Sequence, residues 1–337
     1  MTDAPPPLPT FPARDGRQAR FPVDLTADAA AMAVIANVSL AAAGELARDS
    51  AADMAVALTH RTHGDPRTDL VLVERGGAPE AYVDVEWRDH ASGAFEVQIS
   101  LACRPGPDGG RVATHLLDWA FARGHQLVAG QPADRPRWFA AWCSDGETWT
   151  RAAFDAAGFR TERHFLLLEH RHLDDLAPAP PLPAGLEARP VLPGHWRPVW
   201  EADLEAFRDH WGTPDTSEAA FERFLGETAQ RPDLWQVAWA VDEVAGHVLV
   251  AVHADENAAM GVSRGWLDSV AVRRPWRRRG LATALVVRAL HAIRTAGYER
   301  AVLGVDAANA QDALALYQRV GFEIVSSATA YRRPFQG

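Results

Sequence analysis

The run RRPWRRRGLATAL, residues 273–285, puts five arginines into its first eight positions, in a chain whose formal net charge is −10. A strand-like segment, GWLDSVAV (265–272), leads into it, and a segment with helical spacing, GLATALVVRALHAIRTAG (280–297), leads out. A strand that feeds a glycine-containing loop at the start of a helix is an anion device. The first helical amides lack internal partners, the helix dipole adds partial positive charge, and glycine lets the backbone come close. The spacing Arg277-x-x-Gly280-x-Ala282 is neither a P-loop nor a dinucleotide fingerprint. An acidic chain without a spread-out basic face also argues against nucleic acid as the partner. A cradle for a smaller anion is the reading of the run that stays open at this point.

Composition limits how much weight each arginine carries. The chain contains no lysine and is rich in alanine, arginine, glycine and proline, the mark of a GC-rich bacterial coding bias. Two cysteines, Cys103 and Cys143, exclude a disulfide framework and a Cys-rich zinc site, so no metal is expected. The proline-rich N-terminus lacks the apolar core of a signal peptide. The alanine-rich run around residues 30–47 is broken by polar residues, and no stretch reaches the ~20 apolar residues of a membrane helix. These features predict a cytoplasmic protein with no membrane partner. The acidic balance favours cationic small molecules.

The elements that must position the loop recur along the chain. HLDDLAPAPPLPAGLEARP (172–190) is too rich in proline for a helix or a central strand and reads as a linker. Beyond it the pattern predicts a strand, two helices, three strands, helix, strand, helix and strand. The first half ends in the same succession of three strands, helix, strand, helix and strand. QISLACR (98–104) matches LDSVAVR (267–273), VATHLL (112–117) matches LATALV (281–286), and AAFDAAGF (152–159) matches ALYQRVGF (315–322). Three matched segments in one order predict an internal duplication. The expected organisation is a flexible tail at 1–20, a domain at 21–171, a linker at 172–185 and a second domain at 186–337.

LDSVAVRRPWRRRGLATALV followed by VDAANAQDALALYQRVGFE resembles the acyl-coenzyme A core of the GCN5-related N-acetyltransferases, the GNAT family. Its [Q/R]-x-x-G-x-[G/A] loop is matched by Arg277, Gly280 and Ala282, and its later asparagine, tyrosine and Gly-Phe pair by Asn309, Tyr317, Gly321 and Phe322. The likeness runs in element order over 186–337 and is most specific over 267–323. It implies an α/β (α+β) fold of two tandem GNAT-like domains. Each would be a mixed, mostly antiparallel twisted sheet with a splayed central strand pair, flanked by helices. It further implies that acetyl-CoA is the acyl donor. Its pyrophosphate would lie on Arg277, Arg278, Arg279, Gly280, Leu281, Ala282 and Thr283, and its pantetheine against Val270, Ala271, Val272, Asn309 and Tyr317.

The resemblance also implies chemical roles. An amine with a pKa near ~10.4 must lose a proton before it attacks a thioester. Asp268, on the strand before the loop, is the candidate to accept that proton or anchor the amine, with His253, Asp255 and Glu256 as weaker alternatives. Tyr317 matches the family's general acid for the departing thiolate. The acceptor would meet the first two helices and their loop, where Asp209, His210 and Trp211 offer charge and cation–π contact. The first half lacks these groups: Arg111 stands over the loop glycine, Phe154 over Tyr317 and Gly146 over Asn309, which implies a degenerate copy. The expected activity is N-acetylation of a small-molecule primary amine by direct attack, in a monomer or homodimer. A cysteinyl amine, as for mycothiol synthase, and a peptide N-terminus stay open as acceptors. A non-catalytic acyl-CoA sensor is the alternative class.

Overall fold

The computed structural model describes residues 4–45, 49–61, 63–89, 93–106, 108–132, 134–208, 216–226, 230–308 and 310–335. The chain divides into two compact units, one of residues 1–165 with 326–337 and one of residues 166–325. Against the expected spans 21–171 and 186–337, the units end at Phe165 and Val325, and the chain's last residues count with the first unit. A simple tandem duplication predicts that each half keeps its own final strand, and here the last one is divided.

In the first unit the chain order is β1 (Arg17–Arg20), α1 (Leu25–Ala42), α2 (Ala51–Thr59), α3 (Pro66–Asp69), β2 (Leu70–Arg75), β3 (Ala78–Asp89), β4 (Phe95–Cys103), α4 (Gly109–Val128), β5 (Arg137–Ser144), α5 (Thr148–Ala156) and β6 (Arg160–His170), the last crossing the unit boundary. β1 to β4 pair antiparallel in sequence, and β4 then runs parallel to β5 from Phe95↔Arg137 to Ile99↔Ala141. α1 starts where the Asp24 carboxylate accepts the amides of Thr26 and Ala27. Against the expectation that no segment would be apolar enough, α1 has the length and composition to cross a membrane. Its Ala29, Met32, Ile35 and Ala36 pack with Leu58, Leu70, Leu72 and Tyr82, as a core helix does.

The second unit contains β7 (Glu187–Ala188), α6 (Trp196–Ala206), α7 (Glu218–Gly226), β8 (Gln236–Ala240), β9 (Glu243–Ala251), α8 (Ala254–Met260), β10 (Arg264–Val272), α9 (Leu281–Thr295), β11 (Arg300–Asp306) and α10 (Ala310–Arg319). The final strand, β12 (Glu323–Pro334), begins here, and its residues 328–334 pair with β5 in the first unit's share of the chain. β7 to β10 pair antiparallel. β10 and β11 run parallel over just three residue pairs, Arg264↔Arg300 to Trp266↔Val302, and then part. α9 places Leu281, Ala284, Leu285, Ala289, Leu290 and Ile293 in the core at helical spacing. Gly297, at φ +90°, follows its end as a glycine cap should.

Two local features differ from the sequence reading. α8 was not anticipated; its seven residues are closed by Gly261 in the left-handed region. The segment DEVAG (242–246) looks like the turn between β8 and β9, but the hairpin turns at Val241–Asp242, and Val241 carries the positive φ of 57°. Gly246 is required inside β9 for another reason. A Cβ there would lie 2.8 Å from the Ala271 carbonyl and 3.3 Å from Leu281, so its absence lets β9 and the end of β10 close up.

Candidate active site

The parting of β10 from β11 is what makes the site. Below Trp266 the two strands stop sharing hydrogen bonds, and a cleft of about 450 Å³ opens between them. Asp268, Val270, Ala271 and Val272 line it from β10, Leu303, Gly304, Val305 and Asp306 from β11, and Arg277 and Ala282 from the loop and the start of α9. Ala313, Leu316 and Tyr317 of α10 and Ala206 and Phe207 at the end of α6 complete the wall. Seven residues singled out from the sequence, namely Asp268, Val270, Ala271, Val272, Arg277, Ala282 and Tyr317, therefore share one cavity.

The arginine run separates into different jobs. Arg273 pairs with Glu205 of α6 at 2.7 Å, and this guanidinium holds the Glu205 carboxyl below the usual carboxylate range. Arg277 donates to the carbonyls of Val272 at 2.8 Å and Ala206 at 3.1 Å, so it braces the end of β10 against the end of α6. Arg278 and Arg279 are exposed and make no ion pair among the described residues. Arg278 is itself left-handed, at φ +62°. Gly280, the residue before α9, has φ +80° and ψ 2°, and a Cβ built on it would meet nothing within 4 Å. The open space lies beside first-turn amides that no helical carbonyl can reach. That geometry fits a pyrophosphate. The Leu281 side chain is 1% exposed and packs in the core, so its amide alone faces that space.

Asp268 owes its place to an irregularity in the sheet. The β9–β10 register passes from Leu267↔Val250 to Ser269↔Leu249, which leaves Asp268 as the extra residue of a β-bulge. A bulge bends its strand and re-aims a side chain. Simple alternation along β10, which would set Asp268 on a common face with Val270 and Val272, is therefore broken at this residue. Its Oδ2 accepts a hydrogen bond from Gln230 Nε2 at 3.1 Å. The next residue, Ser269, donates from Oγ to Asp203 Oδ1 at 2.5 Å, and His247 Nε2 lies 2.9 Å from the same oxygen.

Tyr317 is 8% exposed, and burial pushes its phenol up to about 12. It packs edge-on against Phe322, the phenylalanine of the Gly-Phe pair. The weaker alternatives to Asp268 do other work. Glu256 pairs with Arg264 at 2.8 Å and accepts from the Trp266 indole at 2.9 Å, while His253 precedes α8 and stands edge-on to Trp266. Asp255 lies in the first turn of α8 and is absent from the cleft wall. Asp209, His210, Trp211 and Asn309 fall outside the described residues. Sequence reasoning anticipated β11 as the strand that β10 splays from but named no residue on it, and it missed Ala206 and Phe207 at the end of α6. Gly304 and Asp306 follow directly on an apolar strand run, and strand-end residues of this kind are the available signal; Asp306 also accepts the Ala308 amide at 2.9 Å.

In the first unit the helix starts earlier than setting Arg111 over Gly280 implies: α4 begins at Gly109, so Arg111 lies within it and Asp108 is the residue before the helix. The Asp108 carboxylate lies 2.7 Å from Arg111 and 3.2 Å from Arg17, with Arg75 at 3.7 Å. Cys103, Cys143 and Phe154 are buried together in that unit's core, beyond the paired part of β4 and β5.

Residues 196–322 match the family model for the acetyltransferase (GNAT) family. A mycothiol acetyltransferase of Thermobispora bispora is 33% identical over 188 residues, which cover 54% of this chain and 62% of that protein, so the match stops short of two thirds of the relative's length. One from Parafrankia sp. (strain EAN1pec) is 28% identical over 305 residues, covering 74% of this chain and 92% of that protein. Among solved structures, a GCN5-related N-acetyltransferase from Sphaerobacter thermophilus superposes with a TM-score of 0.74 at 28% identity, over 97% of this chain and 98% of that one. A tandem GNAT protein from the clavulanic acid biosynthesis pathway shares the fold, with a TM-score of 0.64 at 18% identity over 94% and 98% of the two chains. With a splayed strand pair, a glycine-opened helix and a family match over the residues that form them, it is the segment 196–322 that carries the GNAT acetyltransferase family's pattern.

Proposed function

We propose that the second unit is an acetyl-CoA-dependent N-acetyltransferase that acts on a primary amine of a small molecule. The observation that carries this reading is the cleft between the parted strands. It has an anion-binding helix start at one end, an exposed carboxylate on a bulge in its wall, and a buried phenol alongside. The amides around Gly280 to Thr283 would hold the pyrophosphate, and the unpaired edge of β10 at Val270–Val272 would take the pantetheine. Acetyl-CoA supplies an activated acetyl group.

The chain's own residues then have two tasks. Asp268 anchors the acceptor ammonium and relays its proton to solvent at the open side of the cleft, which frees the lone pair for direct attack. Tyr317 serves the departing sulfur. A phenol at about 12 is a far weaker acid than a thiol near ~8.5, so complete proton transfer to the thiolate is uphill. Tyr317 therefore acts as a hydrogen-bond donor that stays protonated throughout the neutral range, a narrower role than the general acid implied by the resemblance. We assign the first unit as a degenerate copy without coenzyme, because the residue before α4 is an aspartate whose carboxylate engages Arg17 and Arg111 and would repel a second anion nearby.

The relatives called mycothiol acetyltransferase make a cysteinyl amine the first acceptor to try. The test is release of the coenzyme A thiol from acetyl-CoA with cysteine methyl ester, glucosamine, spermidine, kanamycin and an alanyl peptide. Amine-dependent release that drops sharply, to a residual measurable rate, in Asp268→Asn supports the reading. Acetyl-CoA binding without turnover of any amine would leave the sensor alternative in its place.

A further inference from the structure

The carboxylate that faces the acceptor does not stand alone. Gln230 donates to one of its oxygens from a stretch of backbone between α7 and β8 that is tied down at several points. Gln230 bridges to Ala251 of β9, and the Arg231 amide donates to the Val250 carbonyl at 2.8 Å. The Arg231 guanidinium is held in turn by Asp233 at 2.6 Å and by the Tyr298 hydroxyl at 3.0 Å. Gln230 is 9% exposed, so its amide approaches Asp268 from inside the protein while the carboxylate faces the cleft.

We propose that Gln230 is a positioning residue for the acceptor amine, acting through Asp268; this rests on the reading of Asp268 given above. A carboxylate on a bulged strand has freedom about its side-chain torsions, and an amide fixed to Oδ2 removes it and leaves Oδ1 for the amine. The type of donor matters as much as its place. An arginine at position 230 would hold the carboxylate as firmly but neutralise the charge that attracts an ammonium. A neutral amide orients Asp268 and leaves its full negative charge for the substrate. The arrangement thus selects for a cationic acceptor, delivered to one oxygen.

The test is a double-substitution cycle with the best amine of the panel above. Gln230→Met, close in volume and without a donor, should lower kcat/KM for the amine about tenfold, as expected for losing a hydrogen bond to a charged group. Its acetyl-CoA affinity, measured by calorimetry, should stay within about twofold of wild type and so report an intact fold. In an Asp268→Asn background the same substitution should cost nothing further. Equal losses in both backgrounds, or no loss in either, would overturn the positioning role and leave Asp268 untouched. An Asp268→Asn enzyme as fast as wild type would instead overturn the reading of Asp268 itself. If Gln230→Met does not fold, Gln230→Asn, which keeps the amide but draws it back by one methylene, takes its place with the same expectations.

Discussion

Gly280 offers the sharpest separation of backbone strain from ligand binding. Its φ of +80° is a left-handed conformation that costs an L-residue roughly 1–2 kcal/mol. A Cβ there meets nothing within 4 Å, so substitution brings no clash within the protein itself. Strain of this kind is present with and without ligand, and Gly280→Ala should lower stability by about 1 kcal/mol while leaving most of the acetyl-CoA affinity. Gly280→Glu carries the same strain and adds a carboxylate beside the anion's place. At about 6 Å from one phosphate charge the repulsion is about 0.7 kcal/mol in bulk water and about 2.8 kcal/mol at the effective dielectric of a protein surface. Affinity should fall roughly 3- to 100-fold for that charge alone, and further with steric exclusion. Calorimetric titration gives both affinity and sites per chain, and thermal unfolding gives the strain. One site in wild type that weakens in Gly280→Glu far more than in Gly280→Ala is the expected result. Equal affinity for wild type and Gly280→Glu would refute the cradle, and two sites in wild type would refute the assignment of the first unit.

Three other expectations follow from single residues. Tyr317→Phe should lower turnover with acetyl-CoA affinity retained, because the lost hydroxyl serves the departing sulfur; equal loss of both in a titration paired with steady-state rates would assign the phenol to binding. Gly304 lines the cleft from β11, and a Cβ there meets nothing within 4 Å, so Gly304→Val should narrow the acyl slot and weaken acetyl-CoA binding while the melting temperature holds. Val241, a β-branched residue at φ +57° and 76% exposed, should gain about 1 kcal/mol in stability on replacement by glycine, and a denaturant titration that shows a loss would deny the strain.

The loop, the helix behind it and the tyrosine were legible in the sequence because their chemistry is carried by local spacing. Arg277-x-x-Gly280-x-Ala282 places a turn and a helix start within a few residues, and Tyr317 is fixed by its distance from Gly321 and Phe322. The wall that faces them was not legible. Ala206 and Phe207 reach the cleft because α6 packs across β9 and β10, and nothing in their own surroundings announces it. The bulge at Asp268 was equally hidden, since alternation along LDSVAV looks regular and the extra residue exists just in the register with β9. Gln230 stands 38 residues from its partner, and no local pattern links the two. Arginine density misled in a particular way: it marked the right loop, yet Arg273 and Arg277 spend their guanidinium groups on Glu205 and on two backbone carbonyls.

Under the proposed assignment, the first unit illustrates how such a site could close without loss of its architecture. A helix start with unpaired amides and a positive dipole end favours negative charge, whether from a ligand or from the chain. In the second unit Gly280 leaves that place open. In the first, the residue before α4 is Asp108, and Arg17 and Arg111 converge on it. Hydrogen bonding from Arg17 holds the Asp108 carboxyl below the usual carboxylate range, so it stays charged wherever the protein is folded near neutral pH. A second anion would have to displace this carboxylate from the arginines, and Glu80 on the wall of the same small cavity, of about 200 Å³, would repel it. The Asp108 carboxylate makes no capping bond to the α4 amides, so its effect at the helix start is charge repulsion of a second anion. On the assignment proposed above, the strand–loop–helix unit persists as a fold element with an ion pair beside its helix start.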